Sequence, residues 1–217
     1  MMQPWPRFAK DKPFKKVKVP KELYVEMMLA YNDARFNEIQ FDPYFDDDYN
    51  MIVSGGSVSV LNTKRPFYLR AQLAKDLFDR WGQALQPQME EWCGQELRFV
   101  QGYGIRSYIK DSILAVHRDE ITTHVISAII HIDEYPSVKW PLDFIDHEGE
   151  HHKVTFDSGD MLMYESLCVH ARSTPFQGEF YRNMYFHWCP KVWDSFPYVS
   201  HKLRYKSIEE AQNEYKH

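Results

Sequence analysis

Beyond Gly94 the chain becomes a succession of short β-type segments punctuated by turn residues, and this run constrains the fold more than any other feature. β-branched, aromatic or alternating stretches cover 97–103, 105–108, 113–117, 123–133, 141–146, 152–156, 160–164, 168–172 and 180–189. Gly149 breaks one adjacent pair and Asp157-Ser158-Gly159-Asp160 another, as hairpin loops would. Helical signals, by contrast, crowd into the first half. Helices first and then eight or so strands predict an α+β fold: a double-stranded β-helix (jelly-roll) core with supporting N-terminal helices.

The helical signals have clear starts. Pro20 suits a first helical position, and Leu23, Met27, Ala30 and Ala34 then recur on one face. A second helix is expected from about Tyr68, with Leu73, Leu77, Trp81 and Leu85 on one face, an interruption at Pro87 and a stop at Gly94. Ser207 with Glu210 forms a capping-box pattern for a short terminal helix. Between the first two helices, residues 41–68 carry Asp46–Asp48, Gly55 and Gly56 without helical periodicity. A segment of that length is either a lid over a site or an irregular cover on the core. One domain over 1–217 is expected. Residues 1–94 give helical support and the lid, 95–190 the core, and 191–217 a C-terminal extension.

A content of 44% hydrophobic and 16% aromatic residues argues a packed globule, and a net charge of −5 argues against nucleic acid as a partner. Only residues 1–20 are locally basic, with six Lys/Arg against Asp11 and four prolines, which reads as a solvated arm wrapping the domain. The longest apolar runs fall far short of a membrane span. Cys93, Cys168 and Cys189 are odd in number and contain no Cys-x-x-Cys pair, so a reduced, cytoplasmic compartment is expected.

Two polar residues sit at the mouth of the most apolar stretch. In "VHRDEITTHVISAIIHIDE", His117 and Asp119 are two apart and share a strand face, while Arg118 points away. A carboxylate beside an imidazole inside a barrel is costly unless a cation compensates it. A second histidine with open coordination positions would complete a two-histidine, one-carboxylate iron site, and "ESLCVHARSTP" offers His170, 53 positions after His117. A lone His-x-Asp is more often an ordinary surface pair. His147, His151 and His152 read as a solvated hairpin turn around Gly149, and His187 and His201 show no partner pattern.

The order of these segments resembles the 2-oxoglutarate and Fe(II)-dependent dioxygenases, in particular the prolyl-4-hydroxylase-like branch. The likeness runs through "GIRSYIKDSILAVHRD", "THVISAIIHIDE", "WPLDFID", "VTFDSGDMLMYES" and "CVHARSTPFQGEFYRNMYFHW", roughly residues 97–190. It implies Fe(II) held by His117, Asp119 and His170, 2-oxoglutarate as cosubstrate, O2, and ascorbate as a reductant. It further implies that Tyr108 and His131 bond the cosubstrate. Its distal carboxylate would pair with a basic residue nine or ten positions after the second histidine. Phe180 stands there, so Arg182 is expected to anchor 2-oxoglutarate, with Arg172 as the rival. The Gly-Gly-Glu-Thr segment common in prolyl hydroxylases is replaced around "KWPLDF". The implied activity is hydroxylation of a peptidyl proline, a free amino acid or another small molecule, releasing succinate and CO2. The alternative is a non-catalytic cupin-like jelly roll, whose pattern wants His-x-His and a nearby glutamate.

Overall fold

A computed structural model describes residues 4–33, 38–40, 44–45, 51–52, 58–59, 68–70 and 75–216. The elements run β1 (Phe14–Lys18), α1 (Lys21–Asp33), β2 (Glu38–Gln40), β3 (Tyr44–Phe45), β4 (Met51–Ile52), β5 (Val58–Ser59) and β6 (Tyr68–Arg70). Then follow α2 (Lys75–Cys93), β7 (Leu97–Ile109), β8 (Leu114–His117), β9 (Ile126–Tyr135), β10 (Leu142–Ile145) and β11 (His151–Val154). The chain closes with β12 (Asp160–Glu165), β13 (His170–Arg172), β14 (Phe180–Pro190), β15 (Arg204–Tyr205) and α3 (Ile208–Asn213). Seven strands form a major sheet in the order β1-β12-β9-β14-β7-β6-β2, and five a minor sheet in the order β11-β10-β13-β8-β15. β3, β4 and β5 make a separate three-stranded sheet. Non-consecutive neighbours in both large sheets give the expected jelly-roll character.

Strand alternation explains the layers. On β9, Ile126, Ala128, Ile130 and Ile132 join Met161, Met163, Met184, Phe186 and Trp188 in a cluster with Met27, Phe78, Trp81 and Leu85 of the two long helices. Between the sheets lie Ile129, Leu162, Tyr164, Tyr181 and Tyr185 from one side, and Leu114, Leu142 and Phe144 from the other. Behind the minor sheet, Val116, Ile145, Val169, Ala171 and Tyr205 pack on Ala211 of α3. The helices thus stiffen one wall and leave the inter-sheet space to aromatic and polar side chains.

α2 seats closely on β7 through a reciprocal pair of glycines. A Cβ at Gly82 of α2 would lie 2.2 Å from the Phe99 ring, and one at Gly102 of β7 would lie 2.6 Å from Phe78. Each glycine receives the other element's phenylalanine.

Several expectations need correction. Tyr68 opens strand β6, and the second helix begins at Lys75. Pro87 does not interrupt it: α2 is continuous to Cys93. Gln83 and Pro87 both face solvent, where water can satisfy the carbonyl that proline leaves without a donor. Gly94 does close the helix, with φ +68 and its N–H bonded to Glu90 O at 2.8 Å. The break expected near residue 104 is a bulge within one strand, because Asn183 faces Arg106 while Tyr185 faces Tyr103. The N-terminal arm is not merely solvated: β1 pairs with β12 along its whole length, so lysines lie on a sheet edge and Lys18 meets Asp160 at 2.6 Å. The terminal capping box forms, Ser207 Oγ accepting from Glu210 N at 3.1 Å. Most of the expected lid, 41–68, lies outside the described residues. No described helix is long and apolar enough to cross a membrane. All three cysteines are buried free thiols.

Candidate metal centre

The minor sheet brings His117 and His170 together as directly paired residues of β8 and β13. The pairing contains a bulge: Arg172 faces Leu114, so two steps on β13 match three on β8. The extra residue reverses the alternation, which is why Leu114 and His117 both face the interior although Val116 faces α3. β8 ends at His117, and the following backbone is held by Arg118 N to Leu203 O at 2.8 Å and Asp119 N to Ser166 O at 3.0 Å. Asp119 therefore returns its carboxylate to the histidines.

The three side chains converge. Asp119 Oδ1 lies 3.3 Å from His117 Nε2 and 3.6 Å from His170 Nε2, and the ring centroids of the two histidines are 4.3 Å apart. Each imidazole is oriented from behind: His117 Nδ1 meets Ala115 O at 2.8 Å and His170 Nδ1 meets Cys168 O at 3.0 Å. A carbonyl only accepts, so Nδ1 carries the proton and Nε2 presents a lone pair. Burial, with His170 beside it, pushes the His117 pKa down. Burial alone would raise Asp119, but His170 and His117 outweigh it and hold its carboxyl well below the usual range. Two neutral imidazoles and a carboxylate within one small volume form a ligand set for a divalent cation. Tyr164 completes the surround, its hydroxyl 3.4 Å from Asp119 Oδ2.

Two other groupings have their donors already committed. In His147–Glu165–Cys168, Glu165 Oε1 accepts from Phe8 N and Ala9 N and Oε2 meets His147 Nε2 at 2.9 Å. In Asp146–Glu150–His152, Asp146 Oδ1 accepts from two backbone amides and Oδ2 meets His152. The histidines around Gly149 are thus not simply solvated. His151 also has a carboxylate partner, Asp143, at 2.9 Å. His187, without a pattern in the sequence, is buried with Nδ1 2.6 Å from Ser127 Oγ and its ring 3.9 Å from that of His124.

The residues expected around a cosubstrate divide. Arg172 is 1% exposed and lies between aromatic rings, its guanidinium carbon 4.6 Å from the Trp140 centroid and 4.7 Å from that of Tyr181. One terminal nitrogen donates to Trp140 O, while Nη2 is buried without a hydrogen-bond partner. Tyr181 Oη, also buried, has none either. Arg182 is differently placed. It stacks on Phe180, donates to Tyr31 of α1 at 2.6 Å and pairs with Asp133 at 3.1 Å. Arg182 shares a face of β14 with Met184, Phe186 and Trp188, which pack towards the helices, and a bulge at Ile132, visible as Arg182 facing Asp133 while Asn183 faces His131, turns Asp133 to the same side. Arg182, expected to reach the cosubstrate, thus lies on the face turned away from the His117–Asp119–His170 set. Tyr108 faces the interior, its hydroxyl 3.0 Å from that of Tyr185, which in turn accepts from Asn183. His131 has both nitrogens engaged, Nδ1 with Asn183 at 3.0 Å and Nε2 with Glu134 at 2.5 Å, and its ring stacks on Tyr181. Tyr181, Asn183 and Tyr185 were not singled out in the sequence. Only their alternation along β14 could have flagged them.

No family model matches the chain, and no curated protein matches it. Solved structures do. HygX from Streptomyces hygroscopicus, crystallised with nickel and 2-oxoglutarate, superposes with a TM-score of 0.56 at 13% identity, covering 84% of each chain. HygX has also been crystallised with nickel, 2-oxoglutarate and hygromycin B. AviO1 from Streptomyces viridochromogenes Tue57 gives 0.56 at 14% identity, covering 87% of this chain and 94% of its own. SnoN, a non-heme alpha ketoglutarate dependent epimerase from nogalamycin biosynthesis, gives 0.55 at 14%, covering 82% and 78%. At such identities the likeness establishes a shared fold: this chain has the jelly roll of 2-oxoglutarate/Fe(II) oxygenases.

Proposed function

We propose that this chain is a 2-oxoglutarate- and Fe(II)-dependent oxygenase acting on a polar small molecule. One observation carries the reading: a preoriented His117–Asp119–His170 set and a buried cation with an unsatisfied donor face the same interior. Fe(II) would be held by His117, Asp119 and His170, and when bound it supplies O2 activation coupled to conversion of 2-oxoglutarate to succinate and CO2.

Arg172 fits the far end of that cosubstrate. It lies two residues beyond His170 on one strand face, a separation of roughly 7 Å, within the reach of a five-carbon dicarboxylate. An unpaired buried guanidinium costs several kcal/mol, and a carboxylate on Nη2 and Tyr181 Oη would remove that cost through charge-assisted bonds. Tyr108 and Tyr185 line the wall alongside. His131 acts through Asn183, holding its amide for Tyr185.

The substrate side is polar. Ser127 joins Ser166 and His187, the His187 ring lies tilted against that of His124, and His124 Nε2 lies 3.4 Å from Gln101. Asp119 N donates to Ser166 O at 3.0 Å, so this row adjoins the ligand set. A molecule rich in hydroxyl or amide groups suits such a wall, in keeping with the hygromycin B found in HygX. The neighbours carry nothing towards the prolyl-4-hydroxylase branch, and SnoN is an epimerase, so hydroxylation is the simplest of several oxidative outcomes.

The test is succinate formation by the purified chain with Fe(II) and 2-oxoglutarate, with and without a panel of polyhydroxylated compounds. Basal succinate in wild type that His117→Ala and His170→Ala abolish is expected. Equal succinate and metal uptake in all three proteins would sink the reading.

A further inference from the structure

Arg118 stands between two of the triad residues, points away from them, and is 3% exposed. Its guanidinium spends its donors on three chain segments at once. Nε donates to Tyr205 Oη at 3.2 Å, Nη1 to Leu167 O, and Nη2 to Glu214 Oε2 and Tyr215 Oη, each at 3.3 Å. The Trp5 ring of the N-terminal arm lies 4.8 Å from its central carbon. Burial would favour losing the charge, but Tyr215, Tyr205 and Glu214 together push its pKa up, so the cation is locked in.

These partners matter because of where they sit. Leu167 belongs to the turn, closed by Cys168 N to Glu165 O at 3.0 Å, that leads into His170. The Arg118 backbone carries His117 and Asp119 on either side. One guanidinium therefore ties the segment bearing two of the donors to the segment bearing the third. Its remaining donors reach the C-terminal extension, where β15 runs beside β8 with Arg204 facing His117. That strand is only two residues long, and Tyr205 bonded to Glu214, beside Tyr215, adds to its attachment.

We propose that Arg118 is a positioning residue for the metal centre, through which docking of the C-terminal segment 202–215 and metal binding support one another. The proposal rests on His117, Asp119 and His170 holding a metal. Coupling of this kind is reciprocal: a tail that holds the donors in register tightens the metal, and a bound metal tightens the tail by the same factor. A lysine keeps the charge but cannot reproduce a planar fork spread over three directions.

The test uses the full chain and Mn(II) or Ni(II) titration by calorimetry, without turnover. Arg118→Lys is expected to weaken metal binding tenfold or more, as loss of a supporting contact behind ligands does. Tyr215→Phe and Glu214→Gln, which remove one hydroxyl and one charge, are expected to weaken it several-fold. In wild type, saturating metal should slow hydrogen exchange across 202–215. A merely structural role would lower the melting temperature of the metal-free variants and leave metal affinity unchanged. Wild-type affinity in the folded variants, with tail exchange indifferent to metal, would overturn the proposal while leaving the triad intact. Absence of metal binding in wild type itself would overturn the triad as well.

Discussion

The guanidinium of Arg172 and the phenol of Tyr181 meet inside the barrel, the cation 4.7 Å from the ring centroid, and each keeps one buried polar atom unsatisfied. Burial pushes the Tyr181 pKa up against the pull of the neighbouring charge, so the phenol stays protonated and can donate. A cation and a hydroxyl donor side by side in an apolar cage are costly unless an anion joins them.

Arg172→Ala is accordingly expected to raise the apparent KM for 2-oxoglutarate tenfold or more, since losing a charge-assisted pair costs roughly 1.5–3 kcal/mol. Tyr181→Phe should raise it a few-fold. Arg182→Ala should leave that KM near wild type and lower stability instead, because its partners are Asp133 and Tyr31. Steady-state succinate assays with varied 2-oxoglutarate check all three. A large KM effect from Arg182→Ala alone would return the anchor to that residue.

The placement of Arg182 outside the inter-sheet space marks where the sequence stops being legible. Strand content, order and hairpin breaks were readable because alternation and turn residues are local signals. The pairing of His117 with Asp119 and His170 was readable because residue types and spacing narrow the choice. Which face a side chain takes was not, because four register shifts, two in β7 and one each in β8 and β9, each add a residue that only the partner strand reveals. The β9 bulge turns Asp133 to the helix side, where it meets Arg182. The β8 bulge brings His117 inward. Short edge elements were equally hidden: three of the five β1 residues are lysine, and β15 pairs with β8, far away in sequence.

The helix-to-sheet seat gives a second prediction. Gly82→Ala would ordinarily help an α-helix by about 1 kcal/mol. Here the added carbon falls 2.2 Å from Phe99, which cannot withdraw because it packs against Phe186 and Trp188. The overlap should outweigh the propensity, for a net loss of about 1–3 kcal/mol. Gly102→Ala, against Phe78, should cost a similar amount. Urea unfolding of the metal-free proteins measures both. A stabilised Gly82→Ala would show that α2 can shift without strain.

The last prediction concerns acid. His124 and His187 lie ring to ring at 3.9 Å. Burial depresses the pKa of each, and His124 presses His187 down further. In the unfolded chain both take a proton near pH 6.5. Between that value and the lower folded ones, the unfolded state binds more protons, so stability must rise with pH. It should be flat above about pH 7 and fall as pH drops below 6.5, by on the order of 1 kcal/mol per pH unit for each such histidine. The depressed carboxylates Asp119, Asp146 and Asp160 belong to a different window, because their unfolded values lie near 4. Stability lost between pH 6.5 and 5 is therefore histidine loss, to which the similarly depressed His117 adds its share. His187→Gln keeps a polar partner for Ser127 and removes one of the two rings, so it should flatten the pH dependence in that interval. Denaturant midpoints at pH 8, 6 and 5 decide the matter, and an undiminished slope in His187→Gln would mean that the pair does not set the acid limit.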